Sequence, residues 1–139
     1  VLFSNQQGQK TTPLSFISLL NDSIQLTKNS QKRPLPNNLR KYPQFPAVKI
    51  GRLGVQKVLQ GHSLGTFLIN LVKQIFTTNN RTGCRFITVD VYNNPLTIKF
   101  YKKNDFDFLH ELDEKDKTRI MYYDLKRFQN KKNKKGSSK

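Results

Sequence analysis

The sequence has no tryptophan, one cysteine, one methionine and only nine acidic residues among 139. Each shortage excludes something. A lone Cys84 forms no intramolecular disulfide and no cysteine-based zinc cluster, so no metal site is expected. It lies at the start of a strand-like run and reads as a small core residue. Such a chain fits a reducing, cytoplasmic location. No stretch approaches the roughly 20 apolar residues of a membrane helix, so no membrane partner is expected. No signal peptide is visible at Val1, and the absence of an initial Met leaves open that the natural N-terminus lies upstream. Acidic side chains are scarcest early: before Asp90 the only one is Asp22, against twelve Lys or Arg.

What the sequence has is positive charge, +16 in all. Such a field attracts polyanions and speeds their encounter, although a solvated basic surface has the same composition. The length is that of one domain, taken as residues 1–129. The remaining residues 130–139, NKKNKKGSSK, are basic and of low complexity. They read as a disordered tail that binds anions or serves solubility.

The informative stretch runs from Val48 to Thr66. Val48–Val55 is an apolar run of strand character, and Ala47–Val55 is taken as the central strand. Apolar residues at 64, 67, 68, 71, 72, 75 and 76 have the three-to-four spacing of a helix with one buried face, Leu64–Phe76. Between them lies Gln60-Gly61-His62-Ser63-Leu64-Gly65-Thr66. A strand, a glycine-containing loop and a helix start aim backbone N–H groups, and the partial positive charge of the helix end, at one place. A phosphate-bearing cofactor is the expected ligand. His62 contacts phosphate or simply faces solvent.

The flanks complete a mixed order of elements. Val1–Phe3 is expected to pair as a hairpin with Leu14–Leu20, with Ser4–Thr12 as the turn. Asn21–Ser23 reads as a bulge or turn before a short continuation at Ile24–Leu26. Lys28–Pro46 is a proline-rich basic loop, with one helical turn at Leu39–Tyr42; it is either a rim for an anionic partner or an ordinary solvated loop. Cys84–Tyr92 is a second strong strand. Asn94 as cap and Pro95 in the first turn open a helix over Pro95–Lys103. Strands follow at Phe106–Leu109 and Thr118–Phe128, around a charged turn at Glu111–Lys117. The class is α/β, of mixed α+β character, with a βαβ crossover between Ala47–Val55 and Cys84–Tyr92.

Two motifs resemble those of the GNAT N-acetyltransferases, over about Leu14–Phe128. Gln60-Gly61-His62-Ser63-Leu64-Gly65 is similar to the family's Gln/Arg-x-x-Gly-x-Gly/Ala, with Ser63 at the middle glycine. Asn94 followed by Phe100-Tyr101-Lys102-Lys103-Asn104-Asp105-Phe106 is similar to Asn-x-x-Ala-x-x-Phe-Tyr-x-x-x-Gly-Phe, with Thr97 for Ala and Asp105 for Gly. A narrower resemblance is to toxins that acetylate the amino acid on charged tRNA, in which Gly-Arg-Leu-Ala-Val precedes the loop. Here the run is Gly51-Arg52-Leu53-Gly54-Val55.

The resemblance implies a twisted central mixed sheet flanked by helices. The family's usual N-terminal strand and two helices are not recognised here and the chain is read as starting at the second strand, either because that portion lies upstream of this sequence or because the protein is a reduced member. It implies an acetyl-CoA-dependent N-acetyltransferase with a primary amine as acceptor, by direct attack on the thioester. Leu53 and Val55 would pair with the pantetheine amides. The N–H groups from Gly61 through His62, Ser63, Leu64 and Gly65 to Thr66 would hold the pyrophosphate behind Gln60. Asn94 would contact the pantetheine arm, and Tyr101 would protonate the departing thiolate. An unperturbed phenol, with a pKa of about 10, keeps its proton at neutral pH. The central strand offers no Glu or Asp as general base, which suits an acceptor amine of low pKa. Aminoacyl-tRNA is one such acceptor; a protein amine and a small amine are others. Arg52, Arg40 and Lys41 are the candidate substrate contacts. An antitoxin and a second copy of the chain are the protein partners admitted. The alternative is a basic nucleic-acid-binding module that keeps the fold without the activity.

Overall fold

A computed structural model describes residues 2–7, 10–80 and 82–136. It contains one six-stranded sheet in the order β1-β2-β3-β4-β6-β5. The strands are β1 (Leu2–Gln7), β2 (Lys10–Gln25), β3 (Gln44–Val55), β4 (Phe86–Tyr92), β5 (Asp107–Phe108) and β6 (Thr118–Asp124). The helices are α1 (Asn29–Lys32), α2 (Leu64–Ile75), α3 (Pro95–Lys103) and α4 (Leu125–Gly136). Only β3 and β4 run parallel; the other pairings are antiparallel. The mixed α/β class, the β3–α2–β4 crossover and the boundaries of α3 are those expected.

The sheet separates two apolar layers. On one face, Leu68, Ile69 and Val72 of α2 pack on Val48, Ile50, Ile87, Val89 and Val91, with Cys84 at the margin. On the other, Phe45, Ala47, Phe86 and Tyr122 are covered by Leu26, Leu35 and Leu109. The strand alternation of β3 and β4 produces both layers. Among the described residues, no helix is long and apolar enough to cross a membrane.

Several local expectations are corrected. The residues taken as the hairpin turn are strand as far as Gln7 and again from Lys10. β2 continues through Asn21–Ser23, where Asp22 accepts a hydrogen bond from the Thr88 hydroxyl. That bond gives a turn-prone residue a place in a sheet. The segment Lys28–Pro46 holds α1 and a 3₁₀ turn at Asn37–Leu39, and β3 already begins at Gln44.

The last strand stops at Asp124, and Leu125–Gly136 is helical, in place of the expected strand to Phe128 and the disordered tail. The Asp124 carboxylate receives the Lys126 N–H and pairs with Arg85, which starts the helix. Leu125 is buried and Phe128 partly so, while Arg127 and Lys131 bind Asp107 and Asp105. Residues 137–139 lie outside the described part.

Candidate active site

The site is made where two parallel strands part. β3 and β4 are paired from Ala47↔Phe86 to Ile50↔Val89, and there the ladder ends. Both strands continue, β3 to Val55 and β4 to Tyr92. β3 is drawn away by a bulge: Ser18 pairs with Arg52 and Leu19 with Ile50, so Gly51 is an extra residue. An extra residue bends a strand and increases its twist. Beyond it, Leu53 and Val55 keep β2 on one side and have no strand on the other.

A groove of about 470 Å³ opens into this gap. Leu53 and Val55 form one wall, and Gln60, Gly61, Ser63, Leu64, Gly65 and Thr66 form the end. Thr97, Phe100, Tyr101 and Lys103 of α3 form the opposite wall. Thus most of the residues expected to hold a cofactor line one groove, together with Tyr101. Leu59, Leu96, Thr97, Phe100 and Lys103 also line it and were not foreseen. The helical spacing of 96, 97, 100, 101 and 103 was the available signal, since these positions share one side of α3.

The loop presents backbone donors. The first helical bond of α2 runs from Phe67 N–H to the Ser63 carbonyl. The N–H groups of Gly61, Ser63, Leu64, Gly65 and Thr66 have no acceptor among the described residues. No acidic side chain occupies the first turn of α2. Unpaired amides at a helix start favour an anion such as a pyrophosphate.

Two substitutions of the expected glycines become intelligible. Ser63 caps α2 at φ 62°, and Asp105 follows α3 at φ 67°. Both are left-handed, the conformation that glycine adopts without strain. Around Asp105, its N–H donates to the Lys102 carbonyl and the Phe106 N–H to the Tyr101 carbonyl, a Schellman ending. The backbone path is therefore kept at both places although the glycines are gone.

Tyr101 is 7% exposed, packed edge-on between Phe100 and Phe106 at centroid distances of 5.0 and 5.4 Å. Burial pushes its phenol up to about 12. It is held protonated far above neutral pH, as a proton donor requires. Gly65 is tied to the same wall, because a Cβ there would lie 2.9 Å from Phe100 Cζ.

Other candidates have different places. The Asn94 carboxamide oxygen caps α3 by accepting the Thr97 N–H at 2.9 Å, and Asn94 does not line the groove. Gln60 lines it, but its side chain donates to the Val55 carbonyl at 3.2 Å and ties the loop to the end of β3. His62 is exposed and outside the lining. Arg40 donates to the carbonyls of Leu35 and Arg33, both at 2.9 Å, and so closes the loop around buried Leu35. Lys41 lies 5.3 Å from the Tyr42 ring centroid and Arg52 is exposed on β3; neither lines the groove.

No protein-family model and no curated protein matches the sequence. Solved structures do match. A tyrosine-to-phenylalanine mutant of KacT superposes with a TM-score of 0.70 at 20% identity, over 89% of this chain and 69% of that one. AtaT complexed with acetyl-methionyl-tRNAfMet gives 0.63 at 22% identity, over 84% and 65%. AtaTR bound with AcCoA gives 0.61 at 21%, over 89% and 69%. The chain thus has the GNAT fold, a mixed sheet that opens between two parallel strands. More narrowly, it has that fold as it occurs in the KacT and AtaT toxins, and it spans about two thirds of their length.

Proposed function

We propose that this chain is an acetyl-CoA-dependent N-acetyltransferase whose acceptor is the α-amine of an aminoacyl-tRNA. The observation that carries the reading is the opening of β3 from β4 beyond Ile50 and Val89, with unpaired amides at one end and Tyr101 on the facing wall. The fold shared with AtaT, solved with acetyl-methionyl-tRNAfMet and with acetyl-CoA, supports the choice of both substrates. The net charge of +16 suits a polyanionic acceptor. AtaT has also been solved with the C-terminus of its antitoxin AtaR, and an antitoxin belongs to this reading as a partner.

Acetyl-CoA supplies an activated acetyl group as its thioester. In this reading the amides from Gly61 to Thr66 bind the pyrophosphate, and the free side of Leu53–Val55 orients the pantetheine arm along β3. The acceptor nitrogen attacks the thioester carbon, a C–N bond forms and the C–S bond breaks. Tyr101 gives its phenolic proton to the departing sulfur, and the proton that the nitrogen loses passes to water, from which the Tyr101 phenolate recovers its own. A phenol near 12 is a weaker acid than a thiol, so it donates a hydrogen bond first. It yields the proton only as charge collects on sulfur. An α-amine, with a pKa of about 8, is about one tenth unprotonated at pH 7, far more than a lysine amine, and needs no strong base.

The test is transfer of labelled acetyl from acetyl-CoA to charged tRNA, with uncharged tRNA as control. Label on the aminoacyl group alone is the expected result. Label on neither tRNA, from protein that binds acetyl-CoA, overturns the choice of acceptor.

A further inference from the structure

Lys73 is the one lysine that α2 buries, with 3% of its surface exposed. It lies outside the groove lining and has no part in the chemistry described above. Its Nζ donates to the Asn104 carbonyl at 2.8 Å and lies 3.9 Å from the centre of the Tyr123 ring and 5.7 Å from that of Phe106. Asn104 is the C-terminal cap of α3 and is itself buried. Its carboxamide donates to the Phe100 carbonyl at 2.9 Å and to the Thr66 hydroxyl at 3.4 Å.

Thr66 and Lys73 are seven residues apart, two turns along one side of α2. One touches the side chain of Asn104 and the other its carbonyl. The same cap is joined to Tyr101, because the Asn104 and Phe106 N–H groups both donate to the Tyr101 carbonyl. Phe106 also packs edge-on against the Tyr101 ring. Thr66 lines the phosphate end of the groove and Tyr101 its opposite wall.

We propose that Lys73 is a positioning residue: by binding the Asn104 carbonyl, it fixes the end of α3, and with it the Tyr101 phenol, relative to the phosphate-binding start of α2. The assignment rests on the acetyltransferase reading for its consequence, though not for its geometry. The charged groups facing Lys73 are Asp105, which favours its cation, and Lys131 and Arg127, which oppose it. Burial outweighs Asp105 and lowers the ammonium to about 8. What the lysine supplies there, and an unbranched apolar side chain would not, is the hydrogen bond to the Asn104 carbonyl.

The experiment uses Lys73→Met, which keeps the unbranched side chain up to its last atom and removes the donor. Kinetics and amide exchange are measured on the full chain, alone and with Tyr101→Phe. The expected variant binds acetyl-CoA within twofold of the wild type and loses tenfold or more in kcat. In the Tyr101→Phe background it costs less than twofold further, since both changes act on the same phenol. Without any substrate, exchange of the Asp105 and Phe106 amides quickens at least tenfold while that of the α2 amides does not quicken. Lys73→Gln, which retains a shorter donor, lies between the two and replaces Lys73→Met should that variant not fold. Full turnover, a loss that multiplies with that of Tyr101→Phe, or unchanged exchange at Asp105 and Phe106 overturns the proposal. If the wild type acetylates no acceptor, the acetyltransferase reading fails, and the exchange measurement still decides whether Lys73 holds the end of α3.

Discussion

The Phe100 ring meets Gly65 with its Cζ–Cε2 edge, so that the first helix of the site and the wall opposite it come into contact. A methyl group on Gly65 would come within 2.9 Å of Phe100 Cζ and 3.0 Å of Cε2. The ring also packs edge-on against Tyr101 at 5.0 Å and borders the groove, so a shift of it changes the groove wall. Gly65→Ala is therefore expected to weaken acetyl-CoA binding at least tenfold, measured by titration calorimetry. The helix preference for Ala, about 1 kcal/mol over Gly, offsets part of the collision. Stability is expected to stay within about 1 kcal/mol of the wild type. Unchanged affinity would show that this contact does not shape the groove.

Ser63 gives a prediction of opposite sign. At φ 62° a side chain is held in a conformation that costs roughly 1–2 kcal/mol, and a β-branched one fits worse. Ser63→Gly is expected to preserve or raise stability, by up to about 1 kcal/mol, and to leave acetyl-CoA affinity intact. Ser63→Val is expected to lower stability by roughly 1–2 kcal/mol. Denaturant unfolding of the two variants decides it: equal effects would mean that the left-handed cap is not kept in solution.

Tyr101→Phe removes the hydroxyl proposed as the proton donor and leaves the ring packing in place. Turnover is expected to fall more than tenfold, with the acetyl-CoA-induced shift in melting temperature retained. Because burial raises the Tyr101 phenol to about 12, its ionisation places no alkaline limb on kcat below about pH 10. A rate that falls with the titration of a phenol between pH 8 and 10 would contradict a donor held near 12 by burial.

Lys73 links stability to pH. Its ammonium is at about 8 in the fold against 10.5 ordinarily. Below pH 8 both states are protonated and the native state bears the cost of a buried charge. Between those values the unfolded chain binds more protons, so stability rises with pH across the window. The cost at neutral pH is on the order of 3 kcal/mol. Lys73→Met is expected to be more stable than the wild type at pH 7, and the gap should close towards pH 10. A gap that stays constant from pH 7 to 10 would show that Lys73 does not titrate as described. Comparing the two proteins cancels the opposite slope above pH 10 from Tyr101 and Tyr123, whose phenols are raised to about 12.

The readable parts of the fold are those set by neighbours in the chain. Asn94, Pro95 and Asn104 delimit α3 locally, and the Leu68–Ile69–Val72 side marks α2. Loop and phenol could be named because their motifs are short and ordered. What the sequence hides is what distant residues supply. Asp22 stays in a strand because Thr88 bonds to it, and β6 gives way to a helix at Asp124 because Arg85 and the Lys126 N–H both use that carboxylate. Arg40 and Asn94 have the chemistry of ligand contacts; Asn94 also accepts the N–H of Thr97 as a cap, and no local pattern shows that Arg40 also donates to the carbonyls of Leu35 and Arg33. The Gly65–Phe100 contact and the role of Lys73 join α2 to α3 across more than thirty residues, and no local pattern records such a meeting.

The most direct test of the account is a thermal melt of the wild-type chain with increasing acetyl-CoA, alongside Gly65→Ala. If the gap between β3 and β4 holds the cofactor, the melting temperature rises with concentration for the wild type and much less for the variant. A wild-type protein that melts cooperatively at the same temperature at every concentration would contradict the central claim. The groove between Leu53 and Tyr101 would then not be an acetyl-CoA site.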